Sequence, residues 1–177
     1  FISGTYDKSS ATSVEIEWGG KTHIASINDE DGFWWTTIQK EDIPADADSS
    51  DIQVYAYDRS DPRSGNAFKS DTGVASVRID STPPDMPLVD IVSNDNVVNH
   101  YDKYTTGVVI SGTAQPDTTI EIAWDYKLPR TIVSDSNGQW STNYTAVHIP
   151  MDNENSQISI TAIDTAGNRS TTATTSV

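Results

Sequence analysis

The chain has 177 residues, of which 11 are basic and 26 acidic, giving a formal charge of −15. That balance excludes the basic patches that displace counterions from nucleic acid, and it disfavours anionic membrane surfaces. Cysteine is absent, so no disulfide staples small domains, and stability must come from packing or a bound metal.

Apolar residues make up 35% of the chain, five of them Trp, and they are patterned rather than scattered. FISGT (1–5) opens the chain abruptly, and the polypeptide is expected to continue upstream. SVEIEW (13–18) alternates Val14, Ile16 and Trp18 with Glu15 and Glu17, the period of a half-buried strand. NDEDGFWWT (28–36) reads as a turn into a strand with Trp34 inward. IPADADSSDIQVYAYD (43–58) reads as a loop and a strand with Ile52, Val54 and Ala56 inward, followed by an inserted loop, RSDPRSGN (59–66). RIDSTPPDMP (78–87) carries paired prolines, which block both helix and sheet and stiffen an extended backbone. It places a domain boundary there: 1–80, a linker over 81–86, and 87–177. The rest reads as seven short strands: PLVDIVS (87–93), GVVISGT (107–113), TIEIAWD (119–125), TIVSD (131–135), QWSTNY (139–144), QISITAI (157–163) and RSTTATTSV (169–177). No segment is apolar enough over its length to span a bilayer, and none reads as a signal peptide.

The two halves are copies. Trp18 and Trp124, Trp34 and Trp140, and Asp58 and Asp164 are each 106 residues apart. One offset held across three blocks means one supersecondary plan used twice. Seven short strands in the second copy, with turn residues between them, and their repeat in the first predict an all-β fold of two tandem immunoglobulin-like sandwiches. The first copy has no counterpart of the leading strand PLVDIVS.

The motifs ISGTA (110–114), SDSNGQWS (134–141) and AIDTAGNRS (162–170), with IDSTPPDMP (79–87) at the linker, resemble the bacterial immunoglobulin-like repeats of giant non-fimbrial adhesins exported by type I secretion, of the SiiE type. The resemblance covers both copies. It implies a non-catalytic stalk at a bacterial surface, monomeric, flanked by further repeats of its own chain and serving attachment to a host glycan or receptor. It also implies Ca²⁺ between domains.

The acids are read in that light. In strand register, Ile158, Ile160 and Ala162 are followed by Asp164, and Ile52, Val54 and Ala56 by Asp58, so two apolar faces end in carboxylates. In the second copy, the loops after strands two, four and six of a sandwich share one pole and hold Asp117, Asp135 with Asn137, and Asp164. The first copy supplies Asp29, Asp31 and Asp58, and the linker adds Asp80 and Asp85. Crowded carboxylates repel, and an all-oxygen set suits a hard cation. The expectation is Ca²⁺ at the domain junction, held mainly by Asp80, Asp135 and Asp164. Against it stands turn capping, because SDSNG and DTAGN are good Asx-turn sequences. Asp46, Asp48, Asp51, Asp95, Asp102, Asp152 and Glu154 lie in loops at the opposite pole and read as solvated charge, with a second Ca²⁺ as the alternative. NDEDG (28–32) lacks the bidentate Glu and the helices of an EF-hand.

Catalysis has little support: His23, His100 and His148 match nothing between copies, and no nucleophile, zincin or phosphate-loop motif is present. The serious rival is a ligand-binding patch on the first copy. With Trp34 inward, Phe33 and Trp35 point outward, joined by Tyr55 and Tyr57, and exposed aromatics suit sugar stacking or a protein contact.

Overall fold

Strand alternation governs the architecture. The computed structural model describes residues 1–58, 68–152 and 155–177; the RSDPRSGN loop and Glu154 lie outside the described residues. The chain divides into two compact units, Phe1–Asp80 and Ser81–Val177. Both are all-β sandwiches built from antiparallel strands.

The first unit holds β1 (Ile2–Thr5), β2 (Ser13–Trp18), β3 (Lys21–Ile24), β4 (Ser26–Asn28), β5 (Phe33–Thr36), β6 (Ala47–Tyr57) and β7 (Gly73–Ile79). They form two sheets, ordered β3-β2-β6-β7 and β1-β5-β4. The second unit holds β8 (Leu88–Val89), β9 (Val108–Thr113), β10 (Thr119–Trp124), β11 (Arg130–Val133), β12 (Gln139–Tyr144), β13 (Gln157–Ile163) and β14 (Ala173–Ser176). Its sheets run β11-β10-β13-β14 and β12-β9-β8. The long penultimate strand has an equivalent partner in both units, β2 for β6 and β10 for β13: Ile16 pairs with Val54, and Ile122 with Ile160.

Each sandwich closes over its own core. Val14, Ile16, Trp18, Trp34 and Ile52 fill the first; Ile110, Ile120, Ile122, Trp124, Trp140, Ile158 and Ile160 fill the second. Burying one such aliphatic side chain stabilises by about 1.5–3 kcal/mol. The Trp residues expected in the core are there. Two details recur from copy to copy. Trp18 and Trp124 each donate an indole N–H at 2.8 Å, to Ser50 and Ser156 respectively. Ser70 and Ser170 each accept the main-chain N–H of the strand-six alanine, Ala56 at 3.0 Å and Ala162 at 2.9 Å.

Several expectations need correction. The second serine pair is 100 residues apart rather than 106, so the first copy carries six extra residues after Asp58. The fourth segment does not join the first sheet as in an antibody constant domain. In the second unit β11 lies beside β10. In the first unit the segment splits, β3 pairing with β2 and β4 with β5. Ala25 is buried at the crossing and donates its N–H to Val14 O at 2.9 Å. The leading strand of the second unit is only two residues long. The connection after it is not purely extended, because it contains a 3₁₀ turn at Val92–Asn94 and a π-helical turn at Asp102–Thr106.

Candidate functional site

The loops expected to meet at one pole of the second unit do meet. Ala114 N donates to Gly138 O at 2.9 Å, Ser134 Oγ donates to Gln115 O at 2.6 Å, and Thr118 N donates to Ser134 Oγ at 3.0 Å. These bonds tie the loop after β9 to the turn after β11. The third loop begins at Asp164, directly after Ile163, whose strand partner is Thr119.

Within that pole Asp135 and Asp164 are each committed to their own loop. Asp135 accepts Asn137 N at 2.8 Å and Gln139 N at 2.9 Å on the same oxygen, Oδ1, which closes the SDSNG turn. Asp164 Oδ1 accepts Ala166 N and Asn168 N, both at 2.9 Å, and Oδ2 accepts Asn168 Nδ2 at 2.9 Å. The Asn168 amide, aided by the main-chain N–H groups of Asn168, Ala166 and Gly167, holds the Asp164 carboxyl below its usual 3.8 against an opposing effect of burial. Asp164 is half-buried, as its register implied; Asp117, Asp135 and Asn137 are exposed. Asp117 has φ of 56°, a left-handed turn position that Asp tolerates better than most residues.

The first unit repeats the plan with different chemistry. Tyr6 N donates to Gly32 O at 2.8 Å, matching Ala114 and Gly138. Asp31 Oδ1 accepts Phe33 N at 3.1 Å. Asp29 receives a 2.5 Å hydrogen bond from the Tyr6 hydroxyl. That bond, with burial and the charges of Asp29 and Asp31, raises the Tyr6 phenol from 10.0 to about 12. Asp58 is exposed rather than inward; its N–H donates to Phe68 O at 3.0 Å. In the linker region, Asp80 pairs with Arg78 at 2.6 Å, and Asp85 is exposed.

Among the described residues, no group of three or more carboxylate or imidazole side chains is placed to hold a metal ion. The turn bonds account for why acids and asparagines recur in these loops. Among the described residues the acids therefore fit a Ca²⁺ ion only as contributors to a set completed by other oxygens. Most acids of the opposite pole are likewise paired: Asp51 with Ser76, Asp95 with Val97 N, Asp102 with Asn99 N, and Asp152 with Lys103.

The aromatic patch divides. Phe33 and Trp35 stack with ring centroids 5.9 Å apart and planes 23° from parallel. Ser3, Thr5, Ser26 and Asn28 are their cross-strand partners on β1 and β4. Tyr55 does not belong to an exposed patch. It lies on the outer face but is buried, with Lys69 Nζ 3.3 Å over its ring and its hydroxyl donating to Gln53. Tyr57 is half-buried; desolvation, then a hydrogen bond with Glu15, raises its phenol. The paired Trp–Ser hydrogen bonds escaped the sequence reading, although Ser50 and Ser156 stand at the same 106-residue offset as the tryptophans.

No helix among the described residues is long and apolar enough to cross a membrane. No family model and no curated protein matches the chain. Among solved structures, it is similar to one reported for host cell surface retention of a 1.5-MDa bacterial ice-binding adhesin, at 23% identity and a TM-score of 0.44. The match covers 98% of this chain and 55% of that one, so the chain spans about half the length of this neighbour.

Proposed function

We propose that the chain is a pair of non-catalytic spacer repeats from a large bacterial surface adhesin, secreted and displayed as part of a stalk. The observation that carries this reading is the reuse of one closed sandwich plan. The cores, the Trp–Ser bonds and the serine ties after strand six recur copy to copy. What recurs is structural, while the polar loops differ in chemistry between copies. That is the pattern of a unit selected to be stacked rather than to react. The motif resemblance supports the same reading and supplies the setting: type I export, neighbouring repeats in the same chain, and attachment to a host glycan or receptor.

Ca²⁺ is the proposed stiffener. With no such group of side chains among the described residues, most of its six to eight oxygens would come from loop carbonyls and water, with Asp135, Asp164 and the linker acids Asp80 and Asp85 contributing charge. Affinity in the range of about 10⁻⁴–10⁻³ M is enough for an extracellular site. The test is small-angle scattering of the whole chain with Ca²⁺ and with chelator, beside an Asp164→Ala variant. A longer, narrower particle in Ca²⁺ that the variant does not reproduce supports the stiffened stalk. Unchanged scattering and unchanged thermal stability sink the calcium part and leave the acids as turn caps.

The second reading is a glycan platform on the first unit, favoured by the near-parallel stack of Phe33 and Trp35 with hydroxyl and amide residues on both flanking strands. Glycan-array binding lost in Phe33→Ala and retained in Tyr57→Phe would support it. No binding to any glycan would end it.

A further inference from the structure

Two stretches of the chain carry the pattern Asn-X-Ser/Thr with X other than proline: Asn143-Tyr144-Thr145 and Asn168-Arg169-Ser170. That pattern is the acceptor signature for a sugar joined to an asparagine amide. Both lie in the second unit, and the fold treats them in opposite ways.

Asn168 is committed. Its Nδ2 donates to Asp164 Oδ2 at 2.9 Å, and its main-chain N–H donates to Asp164 Oδ1 at 2.9 Å. Ser170, the hydroxyl of the same pattern, is 9% exposed; it accepts Ala162 N at 2.9 Å and donates to Thr171 O at 2.8 Å. A sugar on Asn168 would have to break the bonds that close this turn.

Asn143 is presented. Along β12, Trp140 and Tyr144 point into the core, while Gln139, Ser141 and Asn143 are exposed on the outer face. Arg130 Nη1 donates to the Asn143 carbonyl at 2.9 Å and so holds the main chain, not the amide side chain. The side chain lies over Gly107, where a Cβ would stand 2.6 Å from Oδ1 and 3.0 Å from Nδ2. Thr145 is exposed, its hydroxyl 3.0 Å from His148 Nδ1. Asn143 stands one residue from the end of β12, an edge strand of its sheet, where local opening is cheap. The first copy has Thr37 and Gln39 at the equivalent positions, so the pattern belongs to the second unit alone. A sugar there would also have something to cover: Val109, the strand partner of Asn143, is 55% exposed, and an edge beside an apolar residue invites pairing with another chain.

We propose that Asn143 is an N-glycosylation site and that the fold withholds Asn168. The donor is a sugar carried on a nucleotide or lipid diphosphate, delivered by a transferase. Asn143 Nδ2 forms a bond to the anomeric carbon, the bond from that carbon to the diphosphate oxygen breaks, the diphosphate leaves with the electron pair, and one amide proton is given up. The site depends neither on Ca²⁺ nor on a spacer role.

The test is to incubate the folded whole chain with a soluble transferase that reads this pattern and uses uridine diphosphate glucose, and to map the product by peptide mass spectrometry. The expected result is one hexose per chain, on Asn143, with Asn168 below about a tenth of that occupancy. Urea-unfolded chain should take sugar at both positions. Asn143→Gln and Thr145→Ala should each abolish the folded-state product, and Asp164→Ala should free Asn168 to accept sugar. No hexose on Asn143 of the folded chain overturns the proposal, and so does equal occupancy of the two asparagines. Should Asp164→Ala fail to fold, Thr145→Ala decides: sugar that persists on Asn143 without the hydroxyl overturns the site, and its loss supports it.

Discussion

Trp124 and Ser156 are joined by a buried 2.8 Å hydrogen bond across 32 residues, and Ser156 in turn donates to Asp125. The indole is 1% exposed. Ser156→Ala should therefore orphan a buried donor and destabilise the second unit by about 1–3 kcal/mol. Adding Trp124→Phe removes the orphaned N–H, so the double variant should lose less than the two single losses summed. Ser50→Ala should cost less, because its bond to Trp18 is only part-buried. Denaturant unfolding followed by Trp fluorescence measures all four.

Asp164 gives a pH test. Its folded pKa is lowered, so its contribution is present above the unfolded value of 3.8 and is lost as pH falls through the lower folded value. Asp164→Asn keeps an acceptor for Ala166 N and Asn168 N but removes the charge; Asp164→Ala removes both. At pH 7 the unfolding midpoints should rank wild type, then Asn, then Ala. The gap between wild type and Asn should shrink below pH 3.8, while the deficit of Ala persists. A wild-type–Asn gap that stays constant with pH would contradict the hydrogen-bond account of the shift.

Tyr6 works in the opposite direction. The folded state holds its proton up to about 12, whereas the unfolded chain releases it near 10.0. The Tyr6–Asp29 bond thus stabilises fully below pH 10 and is lost as pH rises through about 12. Ultraviolet titration should show a late-ionising tyrosine fraction, which Tyr57 and Tyr144 also join, that shrinks by one residue in Tyr6→Phe and in which the Tyr6 share shifts back toward 10 in Asp29→Asn.

The two matching glycines should respond unequally to alanine. A Cβ on Gly4 meets the Trp34 ring at 2.8 Å, and a ring can tilt. On Gly112 it meets Trp140 at 2.6 Å and the Leu88 carbonyl at 1.9 Å, where backbone must move. Gly112→Ala should cost about 1–3 kcal/mol or more and release β8, read as lost amide protection at Asp90. Gly4→Ala should cost less.

The strands and cores were legible because alternation with period two survives in single residues: Ile120, Ile122 and Trp124 inward, Glu121 and Ala123 between them. The pole was legible from topology, and Asp164 from its register. The fate of its acids was not, because an Asx turn and an oxygen-ligated cation select the same residues, and only the placed N–H groups of Asn137, Gln139, Ala166 and Asn168 separate the two. Tyr55 was misjudged because sequence register gives the face of a side chain but not its cover. Lys69, which lies over it, comes from beyond a six-residue insertion. The split of the fourth segment at Ala25 left no periodic signal, since three- and four-residue strands are too short to show one.

The two-pair ladder between β8 and β9 also has a mechanical meaning. Pulled from the N-terminal side, the second unit loads Leu88 and Val89 first, and two residue pairs share that load. They yield before the six-pair ladders between β10 and β13 and between β9 and β12. A pulling experiment on the second unit should therefore show the β8–β9 ladder opening before either six-pair ladder.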